Sequence, residues 1–195
     1  MSADKPTQSA SRWRGGIVGT TPDEQYDADD KESAQVTRPD AIRLDPGSAV
    51  YHNDLGRALY DQERYAEAEE AQREAIRLDP GNATYHDDLG DALYDQERHA
   101  EAEDAYREAI RLDPSNAVYH NDLGRALYDQ EKYEEAEAAQ REAVRLNPEH
   151  PVFLFNVGTD LHAQGRYEEA EAAYRKAIQL DPLLRRPRRG PFRPG

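Results

Sequence analysis

Residues 47–80 read GSAVYHNDLGRALYDQERYAEAEEAQREAIRLDP, and close copies of this segment follow it without interruption. The copies occupy residues 81–114, 115–148 and 149–182, and each is 34 residues long. The first and third segments are identical at 27 of 34 positions, which indicates internal duplication. Repetition at a fixed period of this length is the sequence signature of an array of stacked structural units.

Each segment contains two helical patterns. In the first half of residues 47–80, Tyr51, Leu55 and Leu59 recur at i, i+4 and i+8, which places them on one face of a helix. The second half carries alanines at helical spacing, such as Ala68 and Ala75, which can pack on one face of a second helix. The period-two alternation of a half-buried strand is absent, so the sequence predicts two helices per segment.

Helix-stop and helix-start signals agree with this division. Proline ends a helix because it lacks the N–H group and clashes with the preceding turn. The residues that close the four segments are Pro80, Pro114, Pro148 and Pro182. Short polar residues that can cap the next helix follow at Ser48, Asn82 and Asn116.

This unit resembles the tetratricopeptide repeat, a 34-residue helix–turn–helix motif. In the first unit the matching positions are Leu55-Gly56, Leu59, Tyr65, Ala68, Ala75 and Pro80, and the other units largely repeat them. The resemblance covers roughly residues 41–182. It implies an all-α fold, a right-handed α-solenoid of four stacked helix–turn–helix repeats plus a vestigial half-repeat.

The chain departs from the usual family pattern at its aromatic positions. Histidine or leucine stands where the family places a large aromatic in the first helix, at His52, His86, His120 and Leu154. We expect the aromatic residues one position earlier to supply that packing; they are Tyr51, Tyr85, Tyr119 and Phe153. Gln72 and Gln140 replace an aromatic in the second helix, which predicts somewhat looser packing there.

The repeats lie between two tails of different composition. Residues 1–36 are polar without periodicity and are predicted to be a disordered N-terminal tail. Residues 37–46 copy the end of a second helix and read as a vestigial half-repeat or a cap. Residues 47–80, 81–114, 115–148 and 149–182 form repeats 1 to 4, and residues 183–195 form a basic tail rich in proline and arginine.

Composition limits the functional classes. The net charge of −15 disfavours binding of the repeats to nucleic acid or to anionic membranes. The absence of cysteine excludes thiol catalysis and cysteine-ligated metals. No signal-like segment and no apolar run long enough to span a bilayer occurs, so a cytoplasmic location is expected.

The resemblance also implies a binding surface, because first helices line the concave groove in this family and hold an extended peptide or a helix. We call the corresponding residues the predicted groove. They are Asn53, Asp54, Arg57, Tyr60 and Asp61 in repeat 1, and Asp87, Asp88, Asp91, Tyr94 and Asp95 in repeat 2. Repeat 3 adds Asn121, Asp122, Arg125, Tyr128 and Asp129, and repeat 4 adds Phe155, Asn156, Thr159 and His162.

This predicted groove is acidic and carries a ladder of Tyr60, Tyr94 and Tyr128. Such a surface favours a non-catalytic protein–protein interaction scaffold that binds a basic peptide or domain. The acids could instead be a solvated face that serves solubility alone. Two further alternatives are a structural module that self-assembles through uncapped repeat ends and a regulatory or substrate-presenting subunit of a separate enzyme.

The arginines of the basic tail suggest contact with the acidic repeats of the same chain or of a neighbouring one. No cofactor and no dedicated metal site are expected. Asp87, Asp91 and Asp95 share one helix face, but Ca²⁺ and Mg²⁺ require about six oxygen ligands. The repeated histidines lie one repeat apart, too far for a shared metal ion, so they are expected to be packing residues.

Overall fold

The computed structural model describes residues 47–181, which form eight α-helices and no strand. The helices of repeats 1 and 2 are α1 Ala49–Tyr60, α2 Tyr65–Leu78, α3 Ala83–Tyr94 and α4 His99–Leu112. Those of repeats 3 and 4 are α5 Ala117–Asp129, α6 Tyr133–Leu146, α7 Pro151–Ala163 and α8 Tyr167–Leu180. The predicted tails and half-repeat lie outside the described residues.

The eight helices pack only on near neighbours along the chain. The two helices of each repeat pack on each other, and each second helix also packs on the first helix of the next repeat. Successive first helices make the smaller remaining contacts, and no more distant helix pair within residues 47–181 touches. Contacts confined to adjacent units define a solenoid, so the prediction of an all-α solenoid is confirmed.

The helix boundaries follow from local signals. The Asn82 side chain accepts a hydrogen bond from the backbone N–H of Thr84, and Asn116 does the same for Val118. Ser48 is the residue before α1, although its side chain makes no capping bond there. The turns within repeats 1 to 3 hold a glutamate at positive φ, and in repeat 4 the equivalent residue is Gly165, which accepts this conformation without steric cost.

Small residues set the distance between the two helices of a repeat. A Cβ atom at Gly90 would lie 2.5 Å from the Tyr106 ring, and one at Gly158 would lie 2.6 Å from the Tyr174 ring. Gln72 and Gln140 occupy the same place opposite the glycines of repeats 1 and 3. Both glutamines are almost fully buried and donate hydrogen bonds to backbone carbonyl oxygens of the first helix, those of Asn53 and Asn121.

The shifted aromatic residues do pack as expected in three of the four repeats. Tyr85, Tyr119 and Phe153 are at most 5% exposed, whereas Tyr51, at the start of the described array, is 37% exposed. Tyr119 packs against the preceding repeat, since its hydroxyl oxygen lies 3.3 Å from Thr84 Oγ1. Aromatic side chains one position earlier in the helix therefore compensate for the missing family aromatics.

A buried carboxylate also joins each pair of adjacent repeats. Glu103 of α4 accepts hydrogen bonds from Gln130 Nε2 at 2.7 Å and from Lys132 Nζ at 2.9 Å, both in repeat 3. Equivalent glutamates of the other boundaries bind the matching glutamine and an arginine; they are Glu69 with Gln96 and Arg98, and Glu137 with Gln164 and Arg166. These contacts fix one repeat on the next.

Candidate functional site

The predicted groove residues lie on the first helices α1, α3, α5 and α7 or immediately after them. They differ in exposure. Six of the polar members are buried: Asn53, Asp87, Asp88, Asp91, Asn121 and Asp122. The more accessible members include Asp61, Asp129 and Phe155, so only part of the predicted set is open to a ligand.

The tyrosines of the predicted groove connect successive repeats. The Tyr60 hydroxyl donates a hydrogen bond to Oδ2 of Asp95, and the Tyr94 hydroxyl donates one to Oδ2 of Asp129. Each bond spans 35 residues, one repeat plus one position. The position that would continue this ladder from Tyr128 is Ala163, so the series of Tyr–Asp pairs stops at the boundary between repeats 3 and 4.

Arg125 lies at the centre of this region. Its guanidinium carbon stands 4.5 Å from the centre of the Tyr94 ring, a cation–π distance, and its Nη1 lies 3.1 Å from Asp122 Oδ1. Burial, together with the hydrogen bond to Asp129, raises the pKa of Tyr94 to about 12. Tyr94 therefore stays protonated and continues to donate its hydrogen bond throughout the physiological pH range.

An open pocket lies where α5 and α7 approach each other. Six of its eight lining residues belong to the predicted groove: Tyr94, Arg125, Tyr128, Asp129, Asn156 and Thr159. The other two are Gln140 of α6 and Asp160 of α7. Asn156 Nδ2 also donates to Asn121 Oδ1 at 2.8 Å, which links α7 to α5 beside this pocket.

Asp160 is the residue that sequence reasoning missed. It is 2% exposed, and its Oδ2 has no hydrogen-bond partner among the described residues. Burial, with a smaller effect of the Glu137 charge, raises the pKa of Asp160 to about 8. The signal was present in the repeat pattern, because the equivalent positions of the other repeats hold Ala58, Ala92 and Ala126.

The acidic cluster of repeat 2 differs in detail from its prediction. Asp87, Asp88 and Asp91 each offer a carboxylate oxygen, and these oxygens lie within 4.8 Å of one another. Asp95 accepts instead from Tyr60 of the preceding repeat. One oxygen of each of these three carboxylates lies within this distance, and all three side chains are buried.

The repeated histidines act in local structure. His86 Nε2 lies 3.2 Å from the carbonyl oxygen of Pro80, and His120 Nε2 lies 3.0 Å from that of Pro114. Both rings therefore contact a carbonyl group of the preceding turn. These rings bridge the repeat boundary to the following first helix.

The sequence and the helix-pair architecture together define a helical repeat protein of the solenoid class. The family model described as "Tetratricopeptide repeat" matches residues 40–83, 53–117, 88–151 and 121–184. These overlapping matches cover most of the chain, which belongs to the tetratricopeptide repeat family. Proteins of this family generally act as protein-interaction scaffolds. No curated protein matches the chain.

Solved structures show the same fold. The crystal structure of MamA superposes with a TM-score of 0.71 at 20% identity, covering 82% of this chain and 98% of that one. YrrB, described as a TPR protein with an unusual peptide-binding site, gives 0.67 at 23% identity, covering 78% and 80%. PilF of Pseudomonas aeruginosa gives 0.68 at 27% identity, covering 76% and 68%.

None of the helices within residues 47–181 combines the length and the apolar character needed to cross a lipid bilayer.

Proposed function

We propose that this protein is a non-catalytic scaffold that binds a basic peptide or domain in the predicted groove. The observation that carries the proposal is the convergence of six predicted groove residues around one open pocket. Aromatic side chains and carboxylates at such a surface complement lysine or arginine residues separated by apolar ones. We also propose that the protein is non-enzymatic and cytoplasmic.

The charges of the site support a basic ligand. Asp61 and Asp129 are exposed, and each follows or ends a first helix. Arg125, the cation within the pocket, already contacts Asp122 and the Tyr94 ring. The peptide-binding site named for YrrB, a protein of the same fold, supports a peptide as the class of ligand.

Fluorescence anisotropy with a labelled, capped hexalysine peptide tests the proposal on the full chain. The variant D61N/D129N removes two exposed charges of the predicted groove, and E70Q/D104N removes two exposed charges from second helices. We expect the first variant to lose several-fold in affinity at low salt and the second to bind like the wild type. Equal losses in both variants would show that net charge alone attracts the peptide.

Deletion of residues 183–195 tests the intramolecular alternative for the tail. An arginine-rich segment tethered to the array competes at a high effective concentration with an added basic peptide. We expect the truncated chain to bind hexalysine more tightly than the full chain at low salt. An unchanged affinity would exclude docking of the tail in the predicted groove.

Exposed apolar residues at the ends of the described array favour self-assembly as a second candidate. Tyr51 and Val50 of α1 are 37% and 56% exposed, and Tyr167 and Leu180 of α8 are 63% and 41% exposed. Isolated residues of this kind are common, whereas matched end faces can stack. Light scattering across a range of concentrations tests it: a molar mass that rises with concentration supports stacking, and a constant monomer mass refutes it.

A further inference from the structure

Asp160 occupies a position that holds alanine in the other three repeats. Ala92 and Ala126, which hold the equivalent place in repeats 2 and 3, are completely buried and pack on the side chains of the preceding repeat. Asp160 is 2% exposed in the same environment, next to the almost fully buried Gln140. A buried carboxyl group without a partner costs free energy, and a ligand that pairs with it would offset that cost.

Two unpaired acceptors belong to residues that line this pocket. Asp160 Oδ2 and Gln140 Oε1 are both buried, and neither has a hydrogen-bond partner among the described residues. The amide nitrogen of Gln140 is already used, because it donates to the Asn121 carbonyl oxygen at 3.0 Å. Two residues of the pocket lining therefore hold oxygen acceptors that a group with its own N–H donors could satisfy.

We propose that this pocket receives one lysine side chain of the bound peptide, with its ammonium group paired to Asp160 and hydrogen-bonded to Gln140. The assignment rests on the proposed function and names the residue class that the site selects. An ammonium group is compact and carries three donors on a slender apolar stem, which suits a pair of buried acceptors in a pocket that two tyrosines also line. Tyr128 also lines the pocket, and its ring would provide apolar contact for that stem.

Arg125, the cation that lines the pocket, is engaged with residues other than Asp160. Arg125 extends over Tyr94 at 4.5 Å and contacts Asp122, and the pKa of Asp160 is raised by burial and by the like charge of Glu137. The other ionisable groups that line the pocket are Tyr94, Tyr128 and Asp129. The Asp160 carboxyl is consequently protonated in the free protein near neutral pH, and it must release that proton to pair with an ammonium group.

Proton release gives the proposal a direct readout. Isothermal titration calorimetry of the full chain with capped hexalysine, at pH 7 in two buffers of different ionisation enthalpy, measures the protons released per peptide. We expect roughly one proton for the wild type, because a carboxyl group with a pKa of about 8 becomes ionised in the complex. Capped hexaarginine, of equal charge, serves as the control peptide, and we expect it to bind without this release.

The variant D160A restores the alanine of the other repeats, so it is expected to fold, which circular dichroism checks. It should bind hexalysine about tenfold or more weakly and release no proton, as expected for the loss of a hydrogen bond to a charged group. If hexalysine binds D160A as tightly as the wild type, the assignment of the pocket to a lysine side chain is wrong. The proposal that the predicted groove binds a basic peptide would still stand. A proton released with hexaarginine overturns the choice of ammonium, and a wild type that binds neither peptide overturns both proposals.

Discussion

The hydroxyl group of Tyr94 donates a hydrogen bond to Oδ2 of Asp129, one repeat further along the chain. Tyr60 donates the same kind of hydrogen bond to Asp95, so an equivalent Tyr–Asp bond crosses two successive repeat boundaries. The residues that form these bonds also belong to the predicted groove. The stacking of repeats and the proposed binding would therefore depend on the same side chains.

Replacement of Tyr94 by phenylalanine should lower the free energy of unfolding by about 0.5–1.5 kcal/mol, because the ring stays and the hydrogen bond is lost. Tyr128→Phe is the matched control and should cost less, since the next repeat places Ala163 rather than an acid opposite it. Urea denaturation of both variants measures the difference. A larger loss in Tyr128→Phe would contradict the role assigned to the Tyr–Asp pairs.

The raised pKa of Tyr94 leads us to expect a loss of stability at alkaline pH. The pKa of Tyr94 is raised from 10.0 to about 12, so the folded protein holds this proton after the unfolded chain has lost it. The resulting stabilisation is complete below pH 10 and disappears as the pH rises to about 12. Denaturation midpoints across this range should fall more steeply for the wild type than for Tyr94→Phe.

Gly90→Ala and Gly124→Ala should differ although both add one methyl group. At Gly90 the new Cβ meets carbon atoms of the Tyr106 ring at 2.5–2.9 Å, and that ring is completely buried. At Gly124 it meets the Gln140 side chain, which has more rotatable bonds than a tyrosine and can shift at the cost of its hydrogen bond to Asn121. We expect a cost of about 1–3 kcal/mol for Gly90→Ala and a smaller one for Gly124→Ala, measured by urea denaturation. Equal costs would contradict the steric account.

Glu103→Gln tests the carboxylate that joins repeats 2 and 3. Its side chain is 6% exposed, and its partners Lys132 and Arg107 would be left facing a neutral amide. We expect a loss of about 1–3 kcal/mol. Glu171→Gln is the control, because its ion pair with Arg175 is exposed on both sides and should contribute about 0–0.5 kcal/mol.

A fall in pH should weaken the contact that Glu103 makes between repeats 2 and 3. Burial opposes ionisation of Glu103, but hydrogen bonds from Lys132 and Gln130 prevail and hold its pKa below the usual 4.5. The stabilisation is therefore present above about pH 4.5 and is lost as the pH falls through the lowered pKa. Glu103→Gln should show a flatter decline of the denaturation midpoint in acid than the wild type shows.

The sequence predicted the architecture because repetition, helical periodicity and terminal prolines all indicate the same helix pairs. The burial of Tyr85, Tyr119 and Phe153 could also be anticipated, since the repeat register places them beside the missing aromatics. Contacts between repeats were not predictable. The reach of Glu103 to Lys132 depends on how far one repeat is rotated against the next, and periodicity within one helix carries no information on that rotation.

The burial of the acidic residues in the predicted groove could not be predicted from the sequence either. Helical spacing placed Asp87, Asp88 and Asp91 on first helices, but spacing cannot state how deeply adjacent repeats bury that face. Asp160 carried a usable signal, because comparison of repeats shows alanine at the equivalent sites. An acid at a repeat position otherwise held by buried alanine indicates either a structural cost or a ligand contact.

Asp160→Ala should stabilise the free protein even though it removes the proposed binding contact. The carboxyl group has a pKa of about 8 in the folded protein, against an ordinary value of 3.8 for an aspartate in water, so the folded protein retains a proton that the unfolded chain loses. In the wild type, the contribution of this group to stability is greatest below about pH 4 and declines as the pH rises to about 8. The decline approaches ~1.4 kcal/mol per pH unit within this interval.

The advantage of Asp160→Ala over the wild type should therefore grow from pH 5 to pH 8, as measured by the difference in urea denaturation midpoints. Asp160→Asn is the companion variant: it keeps the size and polarity of the side chain but cannot ionise, so its pH profile should follow that of Asp160→Ala. A difference that does not change with pH would mean that the carboxyl group is solvated in the folded protein. A difference that grows in both variants would identify ionisation of Asp160 as the cause.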